Sequence, residues 1–450
     1  MSLWQVCWPV AVIRRAAAKA SLDRPSGLKT TMKGASVRRA CLFTLFGAMT
    51  LLLSVASPAL LSLPSDTAVF ASTQVSEQAS RSSPVGQSPG AVGASVAVGE
   101  SGAAGESRTI AERRAAAEIR AVYETSFDLL PADKQRHYAQ RLWRVTGDPA
   151  YLCANHAYGR RLLDQLARDA FTVADSDRLR QRNRELLAAY PETSPKQRRR
   201  KAMLSEHVDM MLPRGILFRL AQARYHGLLG QLSEADRRSL EQAVGAVDWR
   251  AFLTDPEVVS VYAAQVANQA AFLAQLGIVD LRVELVEAFR DRYPPGRIEE
   301  LSPAEYRNWV YGLTHFIIAA SHYYQRMLSD GELDWAVAAL LGQGEALLQV
   351  KADIIAEVAL SLQLAGQADH PLVAVLHEAL LARRDPQSGI LPATDGGFDL
   401  GEGEHRNVLA IMTLGWDGRL YSGPRLVLKD ISEERDCRLP GRSLATSPED

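Results

Sequence analysis

The chain is poor in cysteine, carries no excess of either charge, and lacks every familiar nucleotide or nucleophile signature. Four cysteines in 450 residues exclude a disulfide scaffold or a zinc-ribbon framework. Lys and Arg total 51 against 52 Asp and Glu, a formal net charge of −1, which argues against a dedicated nucleic-acid binder. There is no Gly-Lys-Ser/Thr phosphate loop, no strand-borne dinucleotide fingerprint, no Cys-x-x-Cys pair and no Gly-x-Ser-x-Gly elbow. Nucleotide-dependent and serine-hydrolase chemistries are therefore poor readings. Sustained alternation with β-branched enrichment is missing too, with only 425–428 offering a short strand. No fixed period of repeat length is visible, which weighs against a regular solenoid. What remains is a chain 47% hydrophobic and 23% charged, a composition that folds.

The N-terminal part has its own logic. Lys33, Arg38 and Arg39 precede an apolar run over 40–56, followed by Ser57, Pro58, Ala59 and Pro64. Positive charge, then an apolar run, then small residues is an export pattern. Met32 opens it, so residues 1–31 read as an extension upstream of the true start and 32–71 as a signal peptide. Because the apolar run reaches Leu63, an uncleaved membrane anchor is the alternative. Residues 72–107 are rich in Ser, Gly, Ala, Val and Gln without periodicity, the composition of a disordered tether. After cleavage only Cys153 and Cys437 remain, and spacing does not decide whether they pair.

From 108 to 425 the pattern is helical almost throughout, giving an all-α domain, with a polar tail over 426–450. Pro131 stands at a helix start, where a missing N–H costs nothing. Gly147 ends a helix, Asp148 caps the next and Pro149 takes its first position. Ser233, Thr254-Asp255-Pro256, Ser302-Pro303 with Glu305, and Asp369-His370-Pro371 are further starts, and Gly230, Gly277 and Gly366 are stops. The count is roughly twelve to fourteen helices. Short turns make neighbours antiparallel, so helical hairpins arranged as a stack or a closed ring are expected.

The junction Leu142-Trp143-Arg144-Val145-Thr146-Gly147-Asp148-Pro149-Ala150-Tyr151-Leu152 resembles hairpin junctions of the (α/α)-toroid superfamily. That superfamily includes polysaccharide hydrolases and lyases and the terpenoid cyclases. Segments 312–325 and 403–416 are similar to an uncharacterised family of exported bacterial proteins, a domain of unknown function. The resemblance covers about 110–425 and implies a toroid-like or solenoid fold. It transfers no catalytic residues.

Three segments carry chemistry. On a helix expected from Ser302 to about Leu328, Asn308, Tyr311, His315, Ala319, His322 and Arg326 fall on one stripe at 100° per residue. A solvated face would carry Lys, Glu and Asp, so this stripe suits a polar cavity, or else two structural core histidines. A helix over 347–364 places Asp353 and Glu357 one turn apart on an apolar face, where burial would raise one carboxyl toward the range of a general acid. The plainer alternative is a pair of structural acids. The long connection 385–403 delivers Glu404, His405, Arg406 and Asn407 to the start of an apolar helix over 408–414. An electropositive helix start there would favour an anionic group. The basic run from Lys196 to Lys201 reads as a solvated helix start.

The expected activity follows from export, helical hairpins and this stripe. It is a hydrolase or lyase acting on a polysaccharide or other cell-envelope polymer in a central polar cavity. Glu357 and Asp353 would serve as acid or base, with His315, His322 and His405 transferring protons. Asn308, Tyr311, Glu404, Arg406 and Asn407 would bind substrate. No metal or other cofactor, and no nucleic acid, is expected. The ligand is a polymer or a small molecule, and the membrane enters only through an N-terminal anchor. A noncatalytic helical binding or scaffold protein of the envelope is the alternative. Sequencing the N-terminus of exported material should find it between Leu60 and Ser72, and an intact Met32 or Met1 terminus in the membrane fraction contradicts cleavage.

Overall fold

Side-chain caps and left-handed glycines place the helix ends much as the punctuation of the sequence anticipates. The computed structural model describes residues 98–393, 396–427 and 439. These contain fifteen α-helices. The first seven are α1 (Val98–Thr125), α2 (Ala132–Thr146), α3 (Leu152–Val173), α4 (Ser176–Ala188), α5 (Pro195–Ser205), α6 (Met211–Tyr225) and α7 (Glu234–Gly245). Then come α8 (Trp249–Thr254), α9 (Pro256–Leu276), α10 (Arg282–Arg292), α11 (Pro303–Ala320), α12 (Asp334–Leu341), α13 (Ala352–Leu364), α14 (Pro371–Arg383) and α15 (Leu400–Leu414). Helix accounts for 74% of the described residues, and no strand occurs among them. None of the described helices is long and apolar enough to cross a membrane.

Gly147 closes α2 in the left-handed region at φ 63°, a conformation that favours glycine. A Cβ there would also meet the Tyr421 ring at 2.6 Å. Asp148 then accepts from the Ala150 N–H at 2.9 Å with Pro149 in first position. Ser302 and Glu305 form a reciprocal capping box at the start of α11, and Asp255 caps α9 ahead of Pro256.

Several boundaries differ from expectation. The first helix begins at Val98, inside the segment read as tether. The helix expected to reach Leu328 ends at Ala320, and His322, Tyr323 and Tyr324 turn through positive φ. The helix expected over 347–364 starts only at Ala352, after a 3-10 turn over Gly344–Gln349. The last starts early, at Leu400, capped by Asp399. Residues 425–427 form no strand, and the buried Leu426 donates its N–H to the His226 carbonyl at 2.9 Å. The extension 1–31, the signal or anchor 32–71, residues 72–97 and a Cys153–Cys437 pairing lie outside the described residues.

Packing links six helices in series. α6 packs on α9, α9 on α11, α11 on α13, α13 on α15, and α15 on α2. Gln140 on α2 donates to Gln222 on α6 at 2.9 Å, returning the series to its start. Polar contacts fix the direction of successive members. Tyr311 and Thr314 on α11 bond Asp353 and Glu357 on α13 in the same order, so these helices run parallel. Gln363 and Thr413 meet late in α13 and α15, while Glu404 and His137 meet early in α15 and α2. The return paths are separate helices, with α10 packed on α9, α12 on α11 and α14 on α13.

The tightest join is α9 to α11, and it depends on Gly312. A Cβ there would collide with the Phe289 ring and stand 3.0 Å from Ala263 Cβ. We expect Gly312→Val to destabilise the protein by about 1–3 kcal/mol through overpacking, measured by denaturant unfolding. An unchanged midpoint would mean that α9 and α11 can separate freely.

Candidate functional site

Glu357 lies in the second turn of α13 and is only 2% exposed. Thr314 Oγ1 donates to Glu357 Oε1 at 2.5 Å, and His315 Nε2 stands 3.3 Å from the same oxygen. His315 Nδ1 faces Asn268 Oδ1 on α9 at 3.0 Å. As Asn268 is oriented, the imidazole proton sits on Nδ1, leaving the Nε2 lone pair toward the carboxyl. Two lone pairs facing each other repel, so the pair is best satisfied by one proton shared between carboxyl and imidazole. Burial holds His315 near a pKa of about 3, so the ring is neutral.

His405 of α15 approaches from the other side, with Nε2 3.9 Å from Glu357 Oε2. Its side chain is 30% exposed, which makes it the most accessible member of the group. Its ring lies 5.3 Å, centroid to centroid, from His137 on α2. His137 Nδ1 in turn stands 2.7 Å from Glu404 Oε1. Glu404 is wholly buried, and burial raises its carboxyl to about 7 against the pull of Lys134, Arg141 and Arg136. Burial and then Arg141 hold both His137 and His405 well below their usual range. A second carboxyl–imidazole couple thus shares one proton near neutral pH.

Tyr311 completes the group on α11. Its hydroxyl donates to Asp353 Oδ2 at 2.8 Å, and burial followed by the Asp353 and Glu357 charges keeps the phenol protonated. Of the residues expected to converge, His315, Glu357 and His405 meet directly, with Tyr311, Asp353 and Glu404 beside them. His137 was missed. Lys134, His137 and Arg141 recur at helical spacing on α2, the same kind of signal that marked the α11 stripe.

Four expected site residues serve elsewhere. His322 lies past the end of α11 in the left-handed turn, in the electrostatic company of Arg326 and Glu332 rather than Glu357. Asn308 donates to the Val259 and Ser260 carbonyls at 3.2 and 2.8 Å, carbonyls exposed by the kink at Tyr262 of α9. Arg406 donates to the Pro392 carbonyl, and Asn407 brackets Leu391, accepting its N–H at 2.8 Å and donating to its C=O at 2.9 Å. Because α15 begins at Leu400, Arg406 and Asn407 stand in its second turn and fasten the preceding connection instead of facing an open helix start.

No three of the described His, Cys, Asp or Glu residues are grouped to hold a metal ion. A separate groove of about 650 Å³ is lined by Glu284, Glu287, Asp291, Arg292 and Glu305 and includes none of the residues above. Cys153 is disulfide-bonded. A family model, a domain of unknown function (DUF3541), matches residues 112–434. No curated protein and no solved structure matches the chain.

Neutral buried imidazoles make stability depend on pH. His226, which bonds the Pro424 carbonyl and Gln140, is lowered to about 3 by burial, joining His137, His315 and His405. Since an unfolded imidazole titrates near ~6.5, the unfolded chain binds these protons first. Their contribution is fully present above that pH and is lost as pH falls below it. Glu404 opposes this, because its raised pKa lets the folded state take its proton first between about 7 and the ordinary 4.5. Four imidazoles outweigh one carboxyl. The melting temperature should fall from pH 7 to pH 5, less steeply in His226→Asn, and a flat profile would show that these rings are hydrated.

Proposed function

The protein belongs to the DUF3541 family, and we propose that it is an exported acid–base enzyme, a hydrolase or lyase acting on a polysaccharide of the cell envelope or its surroundings. The observation that carries this reading is the meeting of His315 and His405, from α11 and α15, at the buried Glu357 carboxyl of α13, whose couple with His315 is best satisfied by a single proton. The carboxyl–imidazole couple can deliver that proton to a departing sugar oxygen. His405, neutral and only partly exposed, is placed beside that carboxyl to receive one. Tyr311, kept as a phenol, donates its one proton to Asp353 and so fixes that carboxyl beside the group.

The series of packed helices, with return helices packed against it, supports a toroid-like arrangement, with the acid–base group formed early in α2, α13 and α15 and late in α11. Export is supported by the basic and apolar pattern over 32–71. The noncatalytic reading draws on one observation: Glu357 is almost closed to solvent, as a structural acid would be.

Glu357→Gln separates the two. The amide keeps the volume and can still accept from Thr314, but it holds no transferable proton. In an assay of reducing ends and unsaturated products over a panel of envelope polysaccharides, the variant should lose about 100-fold or more in rate. Its melting temperature should stay close to the parent. A loss of several degrees, with no product from either protein, assigns the carboxyl to structure and the chain to binding.

A further inference from the structure

Residues 258–273 of α9 are all buried, and most of them are the apolar side chains such a helix needs. Asn268 is an exception inside that run. An amide there costs about 1–3 kcal/mol unless it is paired, and asparagine is a poor residue for a helix interior. Neither helix end accounts for it, since Asp255 caps the start of α9 and Gly277 closes it. Its Oδ1 instead meets His315 Nδ1 at 3.0 Å, across 47 residues of sequence. The far side of that ring faces the carboxyl. His315 Nε2 is 3.3 Å from Glu357 Oε1, and Thr314 Oγ1 donates to the same oxygen at 2.5 Å. Asn268, His315, Thr314 and Glu357 are all buried.

In a neutral imidazole one nitrogen carries the proton, and the partner of the other decides which. Burial keeps His315 neutral, so two tautomers compete. An amide oxygen at Nδ1 accepts, which selects the Nδ1–H form and leaves Nε2 only a lone pair to offer Glu357. A carboxylate is repelled by that lone pair, whereas a carboxylic acid donates to it. With no acceptor at Nδ1, the ring proton there is lost to solvent and the carboxyl proton passes to Nε2. The result is an ionised carboxylate bonded by Nε2–H, a pair with one proton fewer. Thr314 does not discriminate, because its hydroxyl donates to the glutamate oxygen in either form. The choice falls to the group on α9.

We propose that Asn268 is a positioning residue: by accepting the Nδ1 proton of His315 it leaves Nε2 bare, and so holds Glu357 in the acid form that can give up a proton. The proposal rests on the reading of Glu357 as the proton donor and adds the residue that makes it one. The tautomer is read by nitrogen NMR of the isotope-labelled full chain, with the His315 signals assigned by their loss in His315→Gln. The carboxyl is read by infrared difference between the protein and Glu357→Gln. At neutral pH we expect a protonated Nδ1, a bare Nε2 and a carboxylic-acid carbonyl band that Glu357→Gln removes. Asn268→Leu keeps the branched shape but cannot accept, so it should move the proton to Nε2 and abolish that band. On any polysaccharide the protein cleaves, it should lower kcat at least about tenfold with KM little changed. Asn268→Asp can only accept, so it should keep the proton on Nδ1, and it supplies the comparison if Asn268→Leu fails to fold. A bare Nδ1 in the protein or in Asn268→Asp, an ionised Glu357 in the protein, or spectra unchanged in Asn268→Leu overturns the proposal. Cleavage of a polysaccharide in the same preparation would leave the enzyme reading standing. The expected spectra, with no product from any polysaccharide, support the positioning and overturn the enzyme reading.

Discussion

A carboxyl group removed from water must be held by its neighbours, and at Glu357 that requirement ties three helices together. Thr314 and His315 come from α11 and His405 from α15, so the acid on α13 is satisfied only if all three helices keep their register. The cost of an unpaired buried polar group, about 1–3 kcal/mol, acts here as a positional constraint. Asn268 extends it to α9 through the other nitrogen of His315. Glu404 and His137 extend it to α2. Apolar packing brings the helices into contact, and these polar links select one alignment along their axes.

How much of this was legible depended on whether the signal was local. Caps at Asp148, Ser302 and Asp255 and the left-handed stop at Gly147 use chemistry contained within a few residues, and they stand where they were read. The stripe on α11 was equally legible as far as His315. Beyond Ala320 the helix stops without glycine or proline, because Arg144 on α2 donates to the Tyr323 carbonyl at 2.5 Å and the Tyr324 N–H turns back to Ser321 Oγ at 2.9 Å. The first of those bonds spans 179 residues, which no local pattern reports. That tertiary stop is why His322 left the site.

The start of α15 misled for the opposite reason. Gly401 and Gly403 read as loop, yet both are helical, and Gly403 is a packing residue whose Cβ would stand 3.1 Å from Tyr123 Oη. With the helix begun a full turn early, Arg406 and Asn407 rotate away from an open terminus onto the connection before it. His137 was hidden by its company. Lys134, Gln135, Arg136 and Arg141 make α2 look like a surface helix, whereas Arg136 is buried over the Tyr158 ring at 5.2 Å. Arg144, one further along, lies over Tyr225 at 5.4 Å. Aromatic faces, the Gln140 side chain and backbone carbonyls accommodate these guanidinium groups.

That burial of cations bears on the protonation of the groups near them. Burial first, and then the Arg141 charge, keep His137 and His405 neutral, while burial drives Glu404 toward its acid form despite the same field. The Glu404–His137 couple is thus close to uncharged near neutral pH, although the frame that holds it is cationic. Neutral couples can give and take protons without first stripping solvent from an ion, since burial has already removed it.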